Sequence, residues 1–132
     1  MHTPEDITGS PEWASARQDW REQSGADLER LEAHLAGAAP GALKLEAVYT
    51  PLHDMAGLAG VLGYPLMGRI ARELIETLRR GADPLDANML LLARAHIAAL
   101  RALHEKNVPG DGGAAGSAVM AKLASLHARL AG

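Results

Sequence analysis

Six apolar residues, Leu45, Val48, Leu52, Met55, Ala59 and Leu62, recur at steps of three and four along this chain. Only a helix brings that spacing onto one face. The rhythm returns in Leu28, Leu31 and Leu35, in Leu66, Ile70, Leu74 and Leu78, and in Leu90, Ala93, Ile97 and Leu100. No stretch alternates apolar and polar residues as a half-buried strand would. Composition agrees: phenylalanine is absent and aromatics make up 3% of the 132 residues, while apolar residues reach 48%. A core of leucine, alanine and methionine suits helix-on-helix packing better than a sheet, which favours β-branched and aromatic side chains. We therefore expect an all-α fold, with a disordered tail over residues 1–9 and a single domain over 10–132.

The punctuation between the stripes places the helices. Ser10-Pro11-Glu12 reads as a capping residue, a proline in the first turn and an acid near the positive helix end. Trp13 and Trp20, seven residues apart, then share a face; packing at the bundle end is the plainer role for them, a dimer contact the other. Ser24-Gly25 weakens the pattern and Asp27 could cap a second segment, which leaves one bent helix or two short ones open as far as Ala36. After Gly37–Gly41 a helix is expected over about 42–62, with Pro51 inside it. An interior proline removes one backbone bond and crowds the carbonyl four residues back, here that of Ala47. The apolar stripe passes Pro51 unbroken, which favours a kink over a restart capped by Thr50.

Gly63-Tyr64-Pro65 is a tight link, and Pro65 opens a helix to about residue 80 with Arg69, Arg72, Glu73, Glu76, Arg79 and Arg80 outward. Gly81-Ala82-Asp83-Pro84 is a stop and restart, and the next helix reaches about Lys106. A glycine-rich loop over 107–116 precedes a last helix over 117–130, which offers Met120, Leu123 (or Ala124) and Leu130 for burial. The expected architecture is an antiparallel up-down four-helix bundle with an additional N-terminal helical segment.

Several function classes fall away. A net charge of −3 gives a nucleic-acid partner no electrostatic support. The chain has no cysteine, which excludes disulfide and thiolate chemistry and fits a cytoplasmic protein. Met1–Asp6 lacks the basic run and apolar core of a secretory leader, and apolar runs such as Met89–Ala93 are too short to span a bilayer, so no membrane association is expected. No His-x-x-x-His or Glu-x-x-His pair makes a helical metal site, and no Gly-Lys-Ser/Thr follows the glycines of 110–116 to make a phosphate loop.

One histidine stands out. At about 100° per residue, His53 lies roughly 130° from the centre of its helix's apolar stripe and so points to solvent. Its neighbours on that face at i+3, i+4 and i+7 are Ala56, Gly57 and Gly60, none larger than a methyl. A helical glycine costs about 1 kcal/mol relative to alanine, and close approach by another molecule is one reason to keep two. The other histidines read as structural or incidental: His2 in the tail, His34 on a polar edge, and His96, His104 and His127 as bundle packing.

His53-Asp54-Met55-Ala56-Gly57, with Gly63-Tyr64-Pro65-Leu66 after it, resembles the histidine phosphotransfer (HPt) domains of bacterial two-component phosphorelays, over roughly residues 28–130. The resemblance implies a four-helix bundle whose exposed histidine takes a phosphoryl group from a receiver-domain aspartate of a response regulator and passes it to another receiver. Carried over, His53 is the phosphorylated residue, and Ala56, Gly57 and Gly60 form the receiver-docking surface. The partners implied are response-regulator receiver domains and a hybrid histidine kinase. The Mg²⁺ belongs to the receiver, so this chain needs no cofactor of its own. A neutral imidazole is a competent nucleophile near pH 7, so the chain would be a phosphotransfer intermediate rather than a kinase with a nucleotide site.

The sequence departs from the family in charge. Many members carry lysine just before the glycine, or a basic residue just after the histidine; Ala56 and Asp54 stand there instead. A hairpin about residues 63–64 brings Arg72 near the level of His53 as a stabiliser of the phosphoryl group, ahead of Arg69 and Arg79. Two other readings stay open: a receiver-binding module that does not relay, and a structural bundle in which His53 has no role.

Overall fold

The computed structural model describes residues 10–131, which form five helices and, among the described residues, no strand. They are α1 (Pro11–Leu35), α2 (Leu45–Ala59), α3 (Pro65–Arg79), α4 (Ala87–Glu105) and α5 (Gly113–Ala131). The tail expected over 1–9 lies outside the described residues. Helix α1 packs against α2 and α4, α2 against α3, and α3 against α4, closing a ring; α5 lies mainly against α4. The links alternate between the two ends. The α1–α2 and α3–α4 links pair through Gly41 N–H to Leu85 O and Leu85 N–H to Leu43 O, both 2.8 Å. The α2–α3 and α4–α5 links pair at the other end through Gly110 N–H to Gly63 O, 2.9 Å.

Each stripe read from the sequence faces this core. Leu28, Leu31, Val48, Leu52, Ile70, Leu74, Leu90 and Leu100 are all buried. The N-terminal helix, however, is a full member of the ring rather than an addition to it, and the peripheral helix is α5. The reason lies in α1's anchors. Ser10 caps it by accepting from Trp13 N–H (3.1 Å), and it then runs unbroken for 25 residues. Trp20 is buried, stacks on Tyr64 with centroids 4.9 Å apart, and donates its indole N–H to Met55 O at 3.1 Å. Glu32 receives two bonds from Arg101 of α4 (3.1 and 2.6 Å), which holds the Glu32 carboxyl below its ordinary pKa.

Gly25, which looked like a weak point in α1, makes room for α4. A Cβ there would stand 3.2 Å from His104 Cε1, and His104 and Arg21 bond each other's backbone carbonyls across the gap. Asp27 caps nothing: it is fully buried, accepts from Gln23 and is paired with Arg30.

Helix α2 passes Pro51 without interruption and begins at Leu45, later than the sequence suggested. Its N-cap, Lys44, gives no side-chain cap; instead Asp83 of the α3–α4 link accepts from Leu45 N–H at 3.0 Å, placing an acid at the positive helix end. Helix α4 starts at Ala87 with Asp86 as its cap, bonded from Met89 N–H (2.9 Å). Helix α5 starts at Gly113, four residues earlier than read from the glycines, where Asp111 accepts from the Gly113 N–H (2.9 Å).

Candidate functional site

The sharp turn after α2 fixes which way its outer face looks. Gly63 has φ +97°, a left-handed conformation that glycine adopts without a Cβ penalty, and Pro65 opens α3 at once. Tyr64 between them is buried against Trp20 and donates its hydroxyl to Asn107 Oδ1 (2.6 Å). The α2–α3 hairpin is thereby pinned to α1 and to the start of the α4–α5 link.

On the outer face of α2, His53 is exposed, as are Asp54, Gly57 and Gly60. The ring nitrogens of His53 bond to no described residue. Cβ atoms built at Gly57 and Gly60 would meet nothing within 4 Å, so neither glycine is required by the packing of the described residues. Leu58 and Val61, 56% and 63% exposed, adjoin them. At 100° per residue, Gly60, His53, Gly57, Val61, Asp54 and Leu58 follow one another around about 160° of helix surface. That surface is partly apolar, with the His53 imidazole toward one edge of it and the exposed Leu58 at the other.

Ala56 does not belong to it. It is 7% exposed, because it sits four residues after Leu52 and three before Ala59, on the α3 side of the stripe. Arg72 of α3 reaches over it, donating to Ala56 O at 3.5 Å. Arg72 is thus placed one helical turn beyond His53 and engaged with the backbone there. A second arginine, Arg79, lies 5.1 Å from the ring centroid of Tyr49, and that ring stacks on His53 at 5.4 Å with planes 11° apart. Two cations from α3 therefore bracket His53 along the hairpin, while Asp54, the residue after it, is acidic.

Sequence reasoning missed Tyr49, Leu58 and Val61. Tyr49 carried a usable signal, since it stands four residues before His53 on the same helix face. Leu58 and Val61 carried one too: both are large apolar residues off the stripe.

The remaining described histidines sit apart from this surface. His34 is exposed, His104 packs on Gly25, and His96 is 3% exposed with Nδ1 2.7 Å from Leu92 O. Burial pushes the His96 imidazole below its ordinary pKa, against the Leu92 hydrogen bond and the nearby Glu73 carboxylate, which favour its charged form. His127 is half-buried on α5 beside it. Among the described residues no cluster of three or more histidine, aspartate or glutamate side chains is arranged to hold a metal ion, and no helix is long and apolar enough to cross a membrane.

Comparison with known proteins adds one finding. The family model described as Hpt domain matches residues 15–103. The match takes in α2, α3 and nearly all of α1 and α4, and leaves out α5. No curated protein and no solved structure matches the chain.

Proposed function

Because the chain belongs to the Hpt domain family, a class of phosphotransfer modules in two-component signalling, we propose that His53 is its phosphoryl carrier, presented by an antiparallel up-down bundle of α1–α4. In this reading a ring nitrogen of His53 attacks the aspartyl phosphate of a docked receiver. Its lone pair forms the P–N bond, the P–O bond breaks, and that electron pair returns to the aspartate carboxylate. The ring keeps its one proton on the other nitrogen. Donation to a second receiver is the reverse. The receiver brings the Mg²⁺ and the acidic pocket; this chain brings the nucleophile and the surface.

The observation that carries the reading is the exposed, unbonded His53 beside two glycines that packing does not require. Gly57 and Gly60 let a receiver approach, and Leu58 and Val61 give it apolar area to cover. Arg72, at the next turn, would stabilise the added charge. With receivers and a hybrid kinase as partners, the working location is the cytoplasm.

One observation favours a second reading, a module that binds receivers without relaying. Neither position next to His53 on α2 is basic, and both flanking arginines already have partners, Ala56 O and the Tyr49 ring. A panel of phosphorylated receiver domains separates the two. Relay predicts label on the wild type and none on His53→Gln. Binding without label selects the second reading, and neither binding nor label sinks both.

A further inference from the structure

An aromatic side chain lies against the histidine itself. Tyr49 is half-buried on α2, one helical turn before His53. Side chains on a helix lean toward its N-terminus, so the residue at i−4 lies where the His53 ring comes to rest. The two rings are offset and nearly parallel, 5.4 Å between centroids and 11° between planes. That is the arrangement aromatic pairs prefer. Tyr49 does not rest there unaided. The Arg79 guanidinium, reaching from α3, lies 5.1 Å from its centroid, within the range of a cation–π contact. The series Arg79, Tyr49, His53 thus links the neighbouring helix to the imidazole through ring faces alone, and leaves both ring nitrogens without a protein hydrogen bond.

An exposed histidine on a bare helix would otherwise sample several rotamers, and each turnover would have to select the one aligned with the phosphorus. We propose that Tyr49, steadied by Arg79, is a positioning residue that holds the His53 imidazole in one orientation for phosphoryl transfer. The proposal rests on the reading of His53 as the phosphoryl carrier, and it adds what makes that carrier selective in orientation. It also gives a place to a cation from α3 that acts through a ring rather than by touching the phosphoryl group.

The test uses two readouts that need no receiver. The first is the ring-current displacement of the His53 Cδ2 and Cε1 protons in the NMR spectrum. The second is the rate of His53 labelling by phosphoramidate, in which the ring nitrogen forms a new P–N bond and ammonia leaves. Tyr49→Phe keeps the stack and should match the wild type in both. Tyr49→Leu keeps apolar bulk in a half-buried site but removes the ring face. It should abolish the displacement and slow labelling about two- to tenfold, the range expected for one aromatic contact. Arg79→Gln should reduce both effects in the same direction and by less. Unchanged shifts or an unchanged rate in folded Tyr49→Leu overturns the proposal, and so does a Tyr49→Phe variant that behaves like Tyr49→Leu. If no receiver ever labels the wild type, the relay reading fails, while these two readouts still judge the role of Tyr49.

Discussion

Replacing Gly57 should make this protein more stable and less able to exchange phosphoryl groups. The residue lies inside α2, and a Cβ there meets nothing within 4 Å. Gly57→Ala should therefore recover the helix-propensity difference with no packing penalty, about 1 kcal/mol. For a chain of this size that is a rise in melting temperature of about 3–5 °C. Gly57→Gln, with a good helix former, should recover nearly as much. Gly68 is the internal control. Its Cβ would stand 3.1 Å from the Ala59 Cβ and 3.4 Å from Arg72 Nη1, where α3 crosses α2 closely. Overpacking there costs about 1–3 kcal/mol, which cancels or exceeds the same gain in propensity, so Gly68→Ala should show none of the rise in melting temperature expected of Gly57→Ala. Transfer separates the two glycines. A glutamine at 57 stands in the proposed receiver footprint, and a loss of about 1.4 kcal/mol in docking is tenfold in affinity. Single-turnover transfer from a phosphorylated receiver at subsaturating concentration should fall by about that factor or more. Calorimetry and the transfer assay on the same samples decide it. A Gly57→Gln protein that is stabilised and transfers at the wild-type rate would refute the docking argument, because the glycine would then have neither a structural nor a functional reason.

Other outcomes follow from single contacts. Trp20→Phe removes the indole bond to Met55 O and should cost about 1–2 kcal/mol in urea unfolding, since the Met55 carbonyl keeps its place in α2. Arg72→Ala should leave His53 labelling detectable but shorten the phosphohistidine lifetime; an unchanged lifetime removes Arg72 from the site. His96 gives a pH dependence. Its folded pKa lies below the ordinary 6.5, so below that pH the unfolded chain takes up a proton that the folded chain resists. Its contribution to stability is thus complete above about 6.5 and is lost as pH falls toward the lowered value. The groups facing that site are Glu73, Glu76 and Arg80 from α3 and His127 from α5, around a cleft of about 370 Å³. Melting curves between pH 5 and 8 should show the slope in the wild type and a flatter one in His96→Leu.

How much was legible in the chain depended on whether a signal was local. The stripes, the Ser10 cap and the Gly-Tyr-Pro turn are each set within a few residues, and each appears in the structure where the sequence put it. Membership of the ring was not local. What draws α1 into it is Trp20 reaching Met55 and Tyr64, and Arg101 reaching Glu32, contacts separated by 35 to 69 residues along the chain. No spacing rule reports such contacts, so α1 read as an addition and α5 as a member. The site divided along the same line. The exposure of His53, Gly57 and Gly60 follows from angle alone. Ala56 falls outside that arc, on the α3 side of the stripe, and it is there that Arg72 of α3 donates to its carbonyl. Tyr49 combines the two kinds of signal: its i−4 spacing to His53 is local, while the Arg79 guanidinium over its ring comes from thirty residues later. The proposed phosphoryl carrier and the exposed surface beside it therefore lie on α2, while the two cations that flank it come from α3. A substitution on α3 far from His53 in sequence can change the behaviour of the imidazole without altering any residue of the helix that carries it.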